Sequence, residues 1–372
     1  MPLVDATRTE SCTAPEGTSE ALSAESRAAL RQLTHQRLVG YGMDYGDATK
    51  LRELVEKGRD WMSAALAVAR EANSYLEAAG SLVTPVTKRS ILLRASAATR
   101  MAQIMMLSDT QQRSAIYGDA ASLFAGALAL DGIGKRVVLG AGHSKMIGWH
   151  YRAASPARAI IIVVGGVEGW AMDGHVYGEI FTTLGLDVLL VDGPGQGESR
   201  LSLRHYLNEN WLESLKSAVD YASSRNGVER IGVLGNSVGG NFAMMLSAAD
   251  RRIAACCNNG AILVPLDMRT RQHFFPKLAA FCGTASEADM HKVWDGITVT
   301  PERISLSCPF LVLHGEEDPL LNMEQSKAIL GWVNSSDKEL VVVKGADHCL
   351  CNRPAEKYEI LADWFASRLL TN

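Results

Sequence analysis

Hydrophobic positions in the first third of the chain recur at helical spacing. Leu51, Leu54, Val55, Trp61, Met62, Ala65, Leu66 and Ala69 follow three- and four-residue steps, which predicts one apolar helix face. Ile91 to Met106 is apolar nearly all round, so a buried helix is expected there. Ile116, Ala120, Leu123, Phe124, Ala127 and Leu128 repeat the pattern until Asp131-Gly132 stops it. Nothing here alternates with period two. Residues 26–132 thus predict an N-terminal helical module that acts as a cap. Residues 1–25 are rich in Ser, Thr, Ala and Glu without periodicity, and are expected to form a disordered leader.

From residue 133 onward the pattern becomes strand and helix in turn. Arg136–Leu139 and Trp149–Arg152 are short strand candidates. The β-branched run AIIIVVGG (159–166) follows, then DVLLVDGPGQGES (187–199), IGVLGNSVGG (231–240), IAACCNN (253–259), FLVLHGEEDP (310–319) and ELVVVKGADH (339–348). Helical patterns separate them. Apolar strands alternating with helices predict a mostly parallel, eight-stranded sheet covered on both faces. The alternation breaks at about 264–307, which predicts a cap insertion over the carboxyl edge of the sheet.

Composition narrows the class. The 372 residues are 47% hydrophobic with a net charge of −4, as in globular chains. No basic block stands out, so neither nucleic acid nor an anionic membrane is expected as a partner. No apolar run reaches the ~20 residues of a membrane helix. Seven cysteines without a CxxC pair fit free thiols in a reducing cytoplasm. No metal-ligand spacing occurs, and no cofactor is implied.

The chemistry concentrates at Gly235-Asn236-Ser237-Val238-Gly239. G-x-S-x-G alone is a weak signal, but here a strand precedes it and a helix follows. That context is a nucleophile elbow, with the serine at strained dihedrals on a helix N-terminus. A serine hydroxyl needs a base, and the base needs an acid to fix its tautomer. His348 follows the last strand and Asp318 follows the strand before it. Ser237 and Asp318 are 81 positions apart and Asp318 and His348 30 apart, which leaves room for the intervening elements. The order Ser, Asp, His is that of the α/β-hydrolase fold. Glu316 and Glu317 are alternatives to Asp318. His314 and His175 read as structural.

Acyl transfer also needs an oxyanion hole. The Val238 amide is one candidate donor. The other is the Val167 amide in Gly165-Gly166-Val167-Glu168-Gly169, with Gly166 as the alternative. Glu168 and Trp170 beside this loop and Phe274 in the insertion are candidate substrate contacts. Phe275 and Trp294 also lie in segments expected to border the pocket, where an aromatic can equally be core. The turn Asp192-Gly193-Pro194-Gly195-Gln196-Gly197-Glu198-Ser199 lacks the G-K-[ST] ending of a phosphate loop. It reads as a turn packed beside the active site.

Together GGVEG, DGPGQGES, GNSVGG, HGEEDP, GADHC and the Tyr41-Gly42-Met43-Asp44-Tyr45 segment resemble the family of 2,6-dihydroxypseudooxynicotine hydrolase, which includes fungal hydrolases that shorten polyketide chains. The likeness runs from about residue 35 onward. It implies a serine hydrolase that cleaves a C–C bond next to a ketone, a site between the helical module and the core, and a homodimer. Some members use an acidic residue some thirty positions after the nucleophile, which points to Asp267 as a substrate contact. The expected function is hydrolysis of a ketone-activated C–C (or acyl) bond of a small aromatic or polyketide-like metabolite. A carboxylester or lactone hydrolase, an acyltransferase or cyclase, and a non-catalytic binding protein stay open on the residues alone, because one triad serves several chemistries.

Overall fold

The computed structural model describes residues 22–271 and 274–371. The expected leader lies outside the described residues up to residue 21. Its last residues are helical, because Ser23 already caps a helix by accepting from the Ser26 amide.

Six helices come first: α1 (Ala24–Gln32), α2 (His35–Gly40), α3 (Tyr45–Glu56), α4 (Trp61–Ala79), α5 (Pro85–Ala102) and α6 (Gln111–Asp131). The apolar face expected from Leu51 to Ala69 is split between α3 and α4. Gly58 at φ 95° breaks the chain, and Asp60 starts α4 by capping the Ser63 amide. Leu51, Val55, Trp61, Ala65 and Ala69 still converge in one module core. The helix expected over Ile91–Met106 starts earlier and ends at Ala102. Gly132 ends α6 in the left-handed conformation.

The sheet has eight strands: β1 (Gly134–Leu139), β2 (Met146–Tyr151), β3 (Ala159–Val164), β4 (Asp187–Asp192), β5 (Arg230–Asn236), β6 (Ile253–Asn259), β7 (Phe310–Gly315) and β8 (Lys338–Val343). Their order is β1-β2-β4-β3-β5-β6-β7-β8. β2 is antiparallel to β1 and β4, and the remaining pairs are parallel. Between strands lie α7 (His175–Thr183), α8 (Gly197–Leu201), α9 (Trp211–Ser223), α10 (Val238–Ala249), α11 (Phe275–Cys282), α12 (Glu287–Asp295) and α13 (Met323–Trp332). α14 (Pro354–Leu369) follows β8. The segment between β6 and β7 carries α11 and α12.

β2, β3, β4 and β7 are buried along their whole length, as a sheet covered on both faces requires. Trp211, Phe242 and Ile329 of α9, α10 and α13 fill one face. Phe124, Phe181 and Phe365 of α6, α7 and α14 fill the other. One side of α6 thus joins the sheet core while Ile116 joins the module core.

A buried ion pair adds to that join. Arg100 on α5 donates from Nε to Asp173 Oδ1 at 2.6 Å, and its Nη2 donates to the Tyr41 carbonyl at 2.7 Å. The two side chains are 3% and 8% exposed, so removing one partner strands a charge away from water. Arg100→Met should cost about 3–5 kcal/mol in chemical denaturation at neutral pH. A loss below about 1 kcal/mol would show that the pair does not hold the module to the core.

Candidate active site

The elbow is built from crowding. A Cβ on Gly235 would lie 2.0 Å from the Gly239 carbonyl oxygen, and one on Gly239 would lie 2.3 Å from the Val164 oxygen. Only glycine lets β5, the turn and the loop after β3 pass this closely. Ser237 sits between them at φ 56° and ψ −130°, the N-cap of α10. Its amide donates to the Asn259 carbonyl at 2.9 Å, which ties the turn to the end of β6.

The loops after β7 and β8 bring the partners. His348 Nε2 is 2.9 Å from Ser237 Oγ, and His348 Nδ1 is 2.7 Å from Asp318 Oδ2. Asp318 also accepts from the Leu320 and Leu321 amides at 2.8 and 3.2 Å. The neighbouring acids do not compete: Glu317 is exposed, and Glu316 accepts from the Gly345 amide. Cys349 and Leu350 hold positive φ of 56° and 54° straight after His348. The Cys349 thiol donates to the same Asn259 carbonyl that accepts from Ser237. One carbonyl therefore fixes the spacing of the serine and histidine loops.

Electrostatics follow from this packing. Burial raises the Asp318 pKa, but the His348 hydrogen bond and charge and the two amides bring it below the usual carboxylate value. Burial lowers the His348 pKa. The adjacent Cys349 sulfur and the Asp318 hydrogen bond and charge outweigh burial and raise it to about 10.

The Val238 amide opens α10 and so has no intrahelical acceptor. The Val167 amide likewise donates no hydrogen bond among the described residues. Gly166 packs against the serine: a Cβ there would lie 2.9 Å from Ser237 Cβ and 3.3 Å from its Oγ. The Asp192–Ser199 turn braces this loop from below. Gln196 Nε2 donates to the Gly165 and Gly166 carbonyls at 2.7 and 2.9 Å. Buried Asp192 accepts from the Ala171 and Glu198 amides, and burial pushes its pKa up to about 7.

A cavity of about 600 Å³ opens over the serine, between the helical module and the sheet. Glu168, Trp170 and Phe274 line it, as expected. Glu168 is engaged: its carboxylate accepts from Arg37 on α2, Lys277 on α11 and Gln32 at the end of α1. These cations hold its pKa below the ordinary value against burial. Trp170 is held by Arg113 over its ring at 5.6 Å and Tyr117 at 5.3 Å. Asp267 is not brought in. It is exposed on a short 3₁₀ turn and does not line the cavity, because that turn buries Leu266 and Met268 instead. Trp294 is fully buried against Phe281, and Phe275 packs on His291, so neither reaches the cavity.

Sequence reading missed Tyr41, Tyr177, Lys357 and Arg37, which also line the cavity. Arg37, Tyr177 and Lys357 are single residues on helices with no motif around them, and Tyr41, the C-cap of α2, lies in a segment that carried the family resemblance without being assigned to the site. Among the described residues no His, Cys, Asp and Glu cluster suits a metal, and no helix is long and apolar enough to cross a membrane.

The sequence pattern of the prolyl oligopeptidase family matches residues 177–371, just over half the chain. The chain belongs to the prolyl oligopeptidase family. It is a serine hydrolase of the α/β-hydrolase fold with a helical module ahead of the hydrolase domain. It is 26% identical over 347 residues to 2,6-dihydropseudooxynicotine hydrolase of Paenarthrobacter nicotinovorans, covering 88% of this chain and 89% of that protein. The fold is similar to the crystal structure of 2,6-dihydroxy-pseudo-oxynicotine hydrolase, with TM-score 0.78, 23% identity, and 91% and 96% of the two chains covered. It is also similar to AbyA5, with TM-score 0.67, 15% identity and coverage of 87% and 88%.

Two tests follow for this hydrolase. A serine activated by neutral imidazole loses activity when the imidazole is protonated. With the His348 pKa raised, kcat/KM on an uncharged ester should climb with pH along a limb well above the ordinary histidine value of about 6.5. A limb at or below that value would remove the claimed influence of Cys349 and Asp318. Gly166→Ala should lower kcat/KM about 100-fold by pushing on Ser237 and the amide loop. Unchanged kinetics would mean the loop yields freely.

Proposed function

We propose that Ser237, His348 and Asp318 are nucleophile, general base and orienting acid, and that the Val238 and Val167 amides form the oxyanion hole. The continuous hydrogen-bonded chain Ser237–His348–Asp318 at the cavity floor carries this reading. His348 Nε2 takes the Ser237 proton as Oγ adds to a carbonyl carbon. The carbonyl oxygen gains negative charge beside two free amides and a helix N-terminus. Collapse re-forms the carbonyl and expels the leaving group, which recovers the proton from His348. Water then attacks the acyl-serine, giving its proton to His348 and on to Ser237, and the acid departs.

The bond broken is, in this proposal, a C–C bond next to a ketone, or an acyl bond, in a small aromatic or polyketide-like metabolite. A carbon leaving group must depart as an enolate or an electron-rich ring carbon and be protonated at carbon. Support comes from the relative named for hydrolysing 2,6-dihydropseudooxynicotine, and from a cavity bordered by Tyr41, Trp170, Tyr177 and Phe274. The helical module, residues 26–132, is proposed to act as the cap of the 133–372 core together with the 264–307 insertion. Residues of both, such as Tyr41 and Phe274, face the cavity. A cytoplasmic location rests on the free cysteines of the described residues, and a homodimer on the family resemblance.

A fluorophosphonate should add once to the wild-type protein and not to Ser237→Ala, read by intact mass. Aryl ketones, β-diketones and acyl-phenols should be cleaved in preference to short aliphatic esters. No adduct on the folded protein would sink the triad assignment, and a strong preference for short aliphatic esters would sink the substrate class.

A further inference from the structure

One charged group of the cavity takes no part in the triad, the amide pair or the Glu168 cluster. Lys357, in the first turn of α14, is 4% exposed and lines the cavity. Its Nζ lies 4.7 Å from the Tyr358 ring centre and 5.8 Å from that of Tyr177. Among the described residues no carboxylate pairs with it, and its Nζ donates to no acceptor.

Every other buried cation described here has an acid. Arg100 meets Asp173, Arg113 and Arg200 meet Asp109, and Lys277 meets Glu168. A buried ammonium without a carboxylate is costly, and two aromatic faces offset only part of that cost. The cost is worth carrying where an anion arrives from outside. The position suits such an arrival. The Tyr177 hydroxyl donates to Asn236 Oδ1 at 3.1 Å, which puts Lys357 one ring away from the neighbour of Ser237. Arg31 and Arg271 also line the cavity and stand in no ion pair among the described residues. Of the acids that line it, Glu168 is held by two cations, Asp173 by Arg100, and Asp347 accepts from the Asn352 amide. The lining thus carries four cations, Arg31, Arg37, Arg271 and Lys357, against three carboxylates, Glu168, Asp173 and Asp347.

We propose that Lys357 receives an anionic oxygen of the substrate, an ionised carboxylate or the enolate of an acidic β-diketone, so that this hydrolase selects substrates that enter as anions. The proposal rests on the reading of this cavity as the hydrolytic site.

Calorimetry separates the two without requiring turnover. The probes are 2,4-dihydroxybenzoate, its neutral carboxamide, and the acidic triketone 2-acetylcyclohexane-1,3-dione, ionised at neutral pH. Wild type should bind at least one of the anions about ten-fold or more tightly than the carboxamide, and which one identifies the source of the charge. Lys357→Met should lose that preference and keep its affinity for the carboxamide, while Lys357→Arg should retain much of it. The wild-type comparison decides even if Lys357→Met fails to fold: no preference for either anion overturns the proposal. Equal loss of anion and carboxamide binding in Lys357→Met, with the fold intact, also overturns it by making Lys357 structural. Fluorophosphonate labelling of Ser237 reports on the hydrolytic reading separately. Labelling without anion preference sinks the anion site alone. Anion preference without labelling upholds the anion site and sinks the hydrolytic reading.

Discussion

Glu168 stands on the loop that supplies the proposed oxyanion donor, and its carboxylate is shared by side chains from three other places in the chain. Arg37 and Gln32 reach it from the helical module and Lys277 from the segment between β6 and β7. The carboxylate is almost wholly out of water, so its charge must be answered where it lies. Module, insertion and loop are thereby set against one another over a single anion. The cavity is the space this arrangement leaves above Ser237. Loss of Glu168 would strand the buried Lys277 ammonium, and loss of Lys277 would remove one of the two cations that answer the buried carboxylate.

The Ser237–His348–Asp318 geometry depends on a second constraint, the close passage of backbones. Gly235, Gly239 and Gly166 have no room for a side chain, and Ser237 and Cys349 occupy dihedrals that most residues avoid. The Asn259 carbonyl receives both the Ser237 amide and the Cys349 thiol, so the strained ends of the Ser237 and His348 loops share one anchor. Beneath them Gln196 holds the Gly165 and Gly166 carbonyls and Asp192 the Ala171 amide, while the Val167 amide, proposed as an oxyanion donor, has no acceptor among the described residues.

Much of the core was legible because strands and the elbow announce themselves locally. A β-branched run ending in glycine, or a serine between two glycines at a strand-to-helix junction, is encoded within ten residues. The Ser, Asp and His positions follow from chain order in this architecture. The same local reading overran at Leu51–Ala69, where Gly58 and Asp60 break a continuous apolar face into two helices. It also placed Asp267 by distance along the chain, and the short turn that carries it buries Leu266 and Met268 and leaves the aspartate in solvent.

By itself the sequence determined the alternation of strands and helices, the parallel sheet, the helical character of residues before it and the spacing of serine, acid and histidine. These are set by periodicity and by what adjacent residues permit the backbone to do. The tertiary structure alone decided which side chains share the cavity. Gln32, Arg37, Lys277 and Lys357 come from α1, α2, α11 and α14 with nothing near them in the chain to mark them, and they gather with Glu168, which the glycine-rich loop after β3 did mark. Their pairing, and the lack of a carboxylate partner for Lys357 among the described residues, arise only when packing removes water and brings distant charges within reach of one another.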